Sequence, residues 1–560
     1  MPDEIKGAAT SLALPGPPEH VLPTLTEAQL RGIASRGTRR SVQSGEVLIE
    51  QGQSASHFFV VLSGELQVVR PLQKVETLVI VTRAGQFTGE INTLTGRNAL
   101  FQTRVSAPGE VIDFDHAGLL ELVQSGDEIG EIVMRAFILR RVGLVTAQVG
   151  DVALIGSSHS ADTLRIKEFL MRNGHPYSYV ELERDPNAER LMDDFGFAAE
   201  EVPVVICRGS AVLRNPTNRE IAECLGFNEN IDSALVRDLV VVGAGPSGLA
   251  AAVYGASEGL DTLVIETTSP GGQAASSSRI ENYLGFPTGI SGQELAGRAY
   301  MQAEKFGAEL LVASATRLHC NSKPYVVETD GGASIRTRSI VIATGAQYRR
   351  LPLENLAKFE GVGIYYAATE VESKLCNGEE AIVVGGGNSA GQAAIYLSQR
   401  LSRVYILIRR DGLAATMSRY LSRRIEETPN IELHPQTEIV GLGGGDHLES
   451  VRWKNNQTGT IEDRKIRHIF VMTGGVPNTA WLRGCIALDA SGFVKTGAVL
   501  SPDDLSAERW PLLRPPFLLE SSLPGVFAVG DVRSGSVKRV ASAVGEGSIA
   551  ISLVHQVLSQ

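Results

Sequence analysis

Residues 238–252 read Asp-Leu-Val-Val-Val-Gly-Ala-Gly-Pro-Ser-Gly-Leu-Ala-Ala-Ala. An apolar strand runs into the turn Gly243-Ala244-Gly245-Pro246-Ser247-Gly248, and an alanine-rich helix leaves it. Glycine permits a tight turn there and lets the backbone approach a ligand closely, while the helix start offers unpaired amides that cradle a pyrophosphate. The next strand, Thr262-Leu-Val-Ile-Glu266, ends in an acid about 20 residues past Gly245, the spacing of a carboxylate that takes the ribose hydroxyls.

The same grammar recurs at residues 380–399, EAIVVGGGNSAGQAAIYLSQ, with the turn Gly385-Gly386-Gly387-Asn388-Ser389-Ala390. Here the following strand, Val404–Ile408, runs into Arg409 and Arg410 instead of an acid. Two guanidinium forks suit a 2′-phosphate. The first turn therefore predicts an unphosphorylated ribose, the second NADP, and the pair predicts two dinucleotide folds in one enzyme.

The rest of the chain frames this unit. At 560 residues it has room for about three to four domains of ~150 residues. With 43% hydrophobic and 21% charged residues, the chain as a whole is neither disordered nor fibrous. A net charge of −11 gives no global attraction to nucleic acid. No run reaches the ~20 uninterrupted apolar residues of a membrane span. The opening MPDEIKGAATSLALPGPPEH has no basic segment followed by an apolar one, so a cytoplasmic location is expected. Cys207, Cys224, Cys320, Cys376 and Cys485 are scattered, and no Cys-x-x-Cys occurs, so spacing predicts neither a zinc site nor a local dithiol.

Residues 1–22 read as a flexible tail. Residues 23–145 predict a small β-barrel or jelly roll with helices, from alternating runs such as HFFVVLSGELQVV punctuated by glycine. Residues 150–230 alternate strand and helix, a small α/β sandwich. A short linker over 229–236 leads into the dinucleotide-binding region.

From residue 238 onward the chain resembles the low-molecular-weight thioredoxin reductases. The matching strings, in family order, are GAGPSG, GGQ (Gly271, Gly272, Gln273), IENYLGFP with Asn282, IATGA with Ala343, Thr344 and Gly345, GGGNSA, TGGVPNT, and VFAVGDV with Gly530 and Asp531. The resemblance implies a homodimer with FAD in a domain built from residues 237–350 and 488–560, and NADPH in a domain of residues 351–487. It implies flavin contacts from Gly243, Gly245, Pro246, Ser247, Gly248, Glu266, Gly272, Gln273, Asn282, Ala343, Thr344, Gly345, Gly530, Asp531, Lys538, Arg539 and Val540. Asp531 would accept from a ribityl hydroxyl, and Asn282 would bond near the flavin ring. NADPH would lie on Gly385, Gly387, Asn388, Ser389, Ala390, Arg409 and Arg410.

Two departures carry weight. Alignment on GVGI puts Ala367 and Glu370 where the family has its redox Cys-x-x-Cys, and Cys376 is the nearest sulfur. Ala414 stands where the family often has a further arginine, which softens coenzyme selectivity.

The N-terminal region resembles a cyclic-nucleotide-binding domain. Its phosphate cassette would start at Gly89-Glu90, yet the position of the phosphate-binding arginine holds Ala99, with Arg97 two residues early, so weak or no cyclic-nucleotide binding is expected. The middle region resembles a glutaredoxin-like thioredoxin fold, with Val202-Pro203 as its cis-proline loop. The cysteine positions hold Ser160 and Thr163, and His159 is expected to cap a helix rather than act as a base.

The expected function is hydride transfer from NADPH to FAD and onward to an external acceptor: a small redox protein such as a ferredoxin-like one, a quinone or oxygen. Two alternatives stand beside it. One is thioredoxin-disulfide reduction through other cysteines or a partner's dithiol, and the other is a flavin or nucleotide sensor with little turnover.

Overall fold

The computed structural model describes residues 18–560, apart from 73–74, 90, 96, 126, 148–149, 158–159, 183, 186–191, 193–195, 199–200, 208–210, 229–231, 233, 278, 369, 415–416 and 506–509. The chain forms two compact units: residues 1–158, 169–230 and 304–306 in one, and 159–168, 231–303 and 307–560 in the other. Most of the tail, Glu90 and His159 lie outside the described residues.

The first unit opens with the helices Pro18–Val21 and Glu27–Ile33, the former with Val21 buried where the sequence reads as tail. They are followed by β1 (Thr38–Val42), β2 (Val47–Ile49), β3 (His57–Leu72), β4 (Val75–Arg83) and β5 (Gln102–Asp115), in the antiparallel order β1-β5-β3-β4 with β2 on β5. Phe58 on β3 and Phe114 on β5 are buried, and the Phe58 ring meets those of Phe114, Phe87 and Phe137. Phe137 lies on the helix Glu128–Ala147, which follows the strands. The middle region supplies β6 (Val152–Gly156), β7 (Tyr177–Glu181), β8 (Val204–Cys207) and β9 (Ala211–Arg214) in the order β7-β6-β8-β9. β6 runs parallel to β7 and antiparallel to β8, β8 runs antiparallel to β9, and the Val202–Pro203 peptide is cis.

The second unit holds two large sheets, one mixed and one all-parallel. In the first, β10 (Val236–Val242), β11 (Thr262–Glu266), β12 (Glu309–Val312), β13 (Ala315–His319), β14 (Tyr325–Thr329) and β15 (Ser334–Ile342) order as β12-β11-β10-β15-β14-β13. β10, β11, β12 and β15 pair parallel, and β13 and β14 fold back antiparallel. The chain then crosses on β16 (Ala346–Tyr348) to β17 (Ile364–Tyr365), β18 (Glu380–Val384), β19 (Arg403–Leu407), β20 (Ile431–His434), β21 (Thr437–Gly443), β22 (Ser450–Asn455), β23 (Ile461–Arg464) and β24 (His468–Val471). These make an all-parallel sheet, β17-β24-β18-β19-β20, and a three-stranded antiparallel one, β21-β22-β23.

β25 (Gly475–Pro477) returns antiparallel to β16, and β26 (Val526–Ala528) rejoins the first sheet parallel to β15. The first fold therefore resumes earlier than residue 488. Trp481, Leu482, Cys485 and Ile486 already pack in its core with Val240, Val327 and Ile340. The helix Val540–Leu558 is the one described helix long and apolar enough to cross a membrane. It lies along the helix Pro246–Ser257, and Gly547 is the close point: a Cβ there would stand 2.2 Å from the Ser247 carbonyl oxygen.

Candidate functional site

Both glycine turns sit at the carboxyl ends of the central strands, the end of a parallel sheet that receives nucleotides. Gly243 holds φ +105° directly after β10, and a Cβ there would lie 2.4 Å from the Ala343 carbonyl oxygen. Gly243 and Ala343 thus let two strand ends close on each other. Gly245 is different. It begins the helix Pro246–Ser257 with no side-chain cap, and no atom lies within 4 Å of where its Cβ would be. The second turn repeats the division of labour. A Cβ on Gly385 would meet the Met472 carbonyl oxygen at 2.3 Å, while Gly387, which starts the helix Asn388–Ser398, faces open space. Packing requires Gly385 in the second turn and both Gly243 and Gly248 in the first, where a Cβ on Gly248 would stand 1.8 Å from the Gly243 carbonyl oxygen. Gly245 and Gly387 leave uncapped helix starts accessible, which is the space a pyrophosphate needs.

Glu266 ends β11 as expected. Its Oε2 accepts from the Ala244 amide at 2.7 Å and its Oε1 from the Thr268 amide at 3.0 Å. It fixes the shape of the glycine turn and keeps lone pairs for a ribose hydroxyl, because a carboxylate offers about four acceptor sites. Gln273 donates its side-chain amide to the Ala346 carbonyl, tying the Gly271–Gln273 segment to the start of β16. Asn282 is exposed. Its neighbour Glu281 accepts from Arg424 Nη1 and from the Tyr420 hydroxyl, each at 2.9 Å, which joins the first fold to the helix Arg419–Glu427 of the second.

The crossing strands are pinned by a reciprocal pair. Thr344 Oγ1 donates to the Asn478 carbonyl and Asn478 Nδ2 to the Thr344 carbonyl, both at 2.8 Å. Gly530 holds φ +70°, and a Cβ there would stand 2.5 Å from Ser247 Oγ. Its amide donates to Glu546 Oε2 at 2.7 Å, and Glu546 also pairs with Arg533. Burial pushes the Asp531 carboxyl above its ordinary range, partly opposed by Lys538, and Lys538 Nζ donates to the Asp531 carbonyl at 2.9 Å. Lys538 and Arg539 are exposed, and Val540 begins the helix Val540–Leu558. Sequence reasoning missed Glu546 and Asn478, because neither lies in a spacing that announces a partner.

In the second fold, Arg409 and Arg410 follow β19 and are exposed. Neither guanidinium makes a hydrogen bond or ion pair among the described residues. Asn388 Oδ1 accepts from the Ser418 amide at 2.7 Å, so Asn388 braces the turn against the helix Arg419–Glu427. Ser389 and Ala390 continue the helix, with Ala390 fully buried.

The cysteines fall in revealing places. Ala367 is half-buried, and Glu370 starts the short helix Glu370–Leu375. Cys376 is fully buried, its Sγ donates to the Glu372 carbonyl at 3.1 Å, and burial pushes its thiol up to about 12. A thiol so placed is not a nucleophile at neutral pH. Cys320 and Cys485 form a disulfide across a separation of 165 residues, a pairing that spacing gave no means to read.

That disulfide is at the wrong end of the sheet for the nucleotide. Cys320 follows His319, which pairs with Val326. Val326 pairs with Arg336, and Arg336 with Val236 at the start of β10. The glycine turn follows Val242, whose partner is Ile342. Arg336 to Ile342 along β15 is about 20 Å at ~3.3 Å per residue. In the middle region, Ser160 Oγ accepts from the Thr163 amide at 3.3 Å and caps the helix Ala161–Arg172.

The model of the pyridine nucleotide-disulphide oxidoreductase family matches residues 237–547. The chain belongs to that family. Its cofactors in the thioredoxin reductase branch are FAD and NADPH. The Rickettsia felis thioredoxin reductase is 30% identical over 325 residues, 58% of this chain and 98% of the relative. The Arabidopsis thaliana NADPH-dependent thioredoxin reductase 3 is 31% identical over 359 residues, 61% of this chain and 64% of that protein's length. Among solved structures, the Lactococcus lactis thioredoxin reductase, described as in the FR conformation, aligns with a TM-score of 0.52 at 29% identity, over 58% of this chain and 100% of its own. The T. acidophilum enzyme aligns with a TM-score of 0.51 at 26% identity, over 58% of this chain and 99% of its own. The model of the cyclic nucleotide-binding domain matches residues 39–125.

Proposed function

We propose that this chain is an NADPH-dependent FAD oxidoreductase that passes electrons to an external acceptor without a dithiol of its own. One observation carries the reading: no cysteine pair stands beside the nucleotide end of either fold among the described residues. Ala367 and Glu370 occupy the Cys-x-x-Cys positions, Cys376 is buried and protonated, and Cys320–Cys485 lies about 20 Å down the sheet at ~3.3 Å per residue. A thiolate must touch the disulfide it exchanges with, so such a pair cannot relay electrons from the flavin end.

The residues fit the two cofactors. Gly245 and Gly387 leave open helix starts that would receive the pyrophosphates, Glu266 shapes the first turn and would take the FAD ribose, and Arg409 with Arg410 would hold the 2′-phosphate of NADPH. When bound, FAD supplies the two-electron chemistry, accepting a hydride equivalent from the nicotinamide and yielding electrons to the acceptor. The chain's own residues bind and orient. The Thr344–Asn478 pair and the β16–β25 crossing set one fold against the other, and Glu281 with Arg424 and Tyr420 adds a second tie. No proton-transferring side chain is required for the hydride step.

The middle region is read as a glutaredoxin-like module without its dithiol, supported by the strand order β7-β6-β8-β9. A cytoplasmic homodimer completes the proposal, and sedimentation of the purified protein tests the dimer.

Steady-state NADPH consumption by the FAD-loaded protein, across thioredoxin, a ferredoxin-like protein, quinones and oxygen, tests the reading. Turnover with at least one non-disulfide acceptor and background rates with thioredoxin are expected. Efficient thioredoxin reduction would overturn it, and negligible rates with every acceptor would favour a sensor.

A further inference from the structure

The barrel holds a partly open cavity of about 60 Å³, several times the ~10–15 Å³ that holds one water. Its wall is mainly apolar: Val68 from β3, Val79 and Ile80 from β4, Leu100 and Phe101 from the segment just before β5, and Leu144 from the helix Glu128–Ala147. Ala99, at the position where the domain's resemblance calls for a phosphate-binding arginine, is part of this wall. Arg97 does not line it. Its guanidinium lies over the Phe227 ring, 4.4 Å from the centroid.

Among the described residues that line the cavity, the one cation is Arg140, and it is spent. Its Nε donates to the Val21 carbonyl at 3.0 Å, Nη1 to the Thr88 and Gly89 carbonyls at 3.1 and 2.7 Å, and Nη2 to the Phe87 carbonyl at 3.1 Å. Turning this guanidinium to a phosphate would strip those buried carbonyls of their donor. A cyclic phosphate in the cavity would therefore be a buried anion without a counter-charge, which is strongly unfavourable.

The polar side of the wall points to a different ligand. Thr88 Oγ1 is satisfied by the Phe59 amide at 3.0 Å. Thr82 is not. It is 1% exposed, lines the cavity, and its hydroxyl has no hydrogen-bond partner. Buried hydroxyls are nearly always paired, so an orphan on the wall of a cavity marks where a ligand's polar atom belongs.

We propose that the barrel cavity binds an uncharged, largely apolar small molecule carrying one hydrogen-bonding group, received by Thr82, and that it does not bind cyclic nucleotides. The barrel then keeps the ligand-holding architecture of its family with the charge requirement removed.

Saturation-transfer NMR and calorimetry on the full-length protein test this with 1-octanol, octanoate, cyclic AMP and cyclic GMP. The first two share a chain and differ in head-group charge. Octanol is expected to bind at least tenfold tighter than octanoate, with no binding of either cyclic nucleotide at micromolar concentrations. Thr82→Val, which keeps the shape and removes the hydroxyl, is expected to weaken octanol roughly three- to tenfold. Ala99→Leu, which fills the wall, is expected to abolish octanol binding while NADPH turnover stays unchanged, showing that the protein remains folded. Failure of octanol to bind, equal affinity for octanoate, no effect of Thr82→Val, or micromolar binding of a cyclic nucleotide would each overturn the proposal.

Discussion

Replacing Arg409 and Arg410 together with alanine probes the coenzyme assignment with little interference from folding. Both side chains are exposed, and neither pairs with another described residue, so their loss leaves no buried group unsatisfied. Surface changes of this kind usually fall within about 0.5 kcal/mol of wild-type stability. The effect should therefore lie in binding. Hydrogen bonds to a charged group contribute roughly 1.5–3 kcal/mol, so removal of the phosphate contact raises the NADPH KM by tenfold or more, up to about 150-fold. NADH lacks that phosphate, and its KM should stay within about twofold. The contacts are exposed to solvent, so the preference of the parent protein for NADPH should shrink as salt shortens the Debye length from about 10 Å at 0.1 M toward ~3 Å at 1 M. Steady-state kinetics with both coenzymes, at two ionic strengths, measures all of this. Equal loss with NADPH and NADH, or no loss with NADPH, would refute the assignment.

Further outcomes follow from other parts of the site. Gly245→Ala should leave the apoprotein within about 0.5 kcal/mol of wild type and lower its FAD content, because the added methyl meets only the open cradle. Gly243→Ala, at φ +105° and 2.4 Å from a carbonyl oxygen, should instead destabilise the fold itself by more than ~1 kcal/mol, and a thermal melt distinguishes the two. Burial raises the Asp531 carboxyl, so the folded apoprotein binds that proton more tightly than the unfolded chain and loses stability as pH rises through the carboxylate range. Asp531→Asn should remove that loss, making the apoprotein more stable than wild type near pH 7 but not at pH 3, while weakening FAD retention. Cys320→Ser should lower stability by roughly 2–5 kcal/mol, since the disulfide closes a long loop, yet leave NADPH turnover at the wild-type rate at temperatures where the protein is folded.

Much of the second unit was legible because its chemistry is local. A glycine that must turn the chain, an amide-rich helix start and the residue ending the next strand all fall within one strand-turn-helix-strand stretch, and Gly243, Gly385, Glu266 and Arg409 lie where that logic places them. What was hidden depends on contacts far apart in sequence. Glu546 holds the Gly530 amide from the last helix, and the Thr344–Asn478 pair joins the two crossing strands. The Cys320–Cys485 bond joins the end of the edge strand β13 to the segment after β25 that returns to the first fold before residue 488. In the barrel, Ala99 announced the missing cation, but only the packing around Thr82 reveals a hydroxyl without a partner.

The central claim is that the flavin is the only redox centre in the electron path. Anaerobic dithionite titration of the FAD-loaded protein, with thiols counted in denaturant before and after, tests it most directly. The flavin should bleach fully at one two-electron equivalent per FAD, with three thiols per chain throughout, those of Cys207, Cys224 and Cys376. Uptake of a second equivalent together with two new thiols would place Cys320–Cys485 in electronic contact with the flavin and contradict the account.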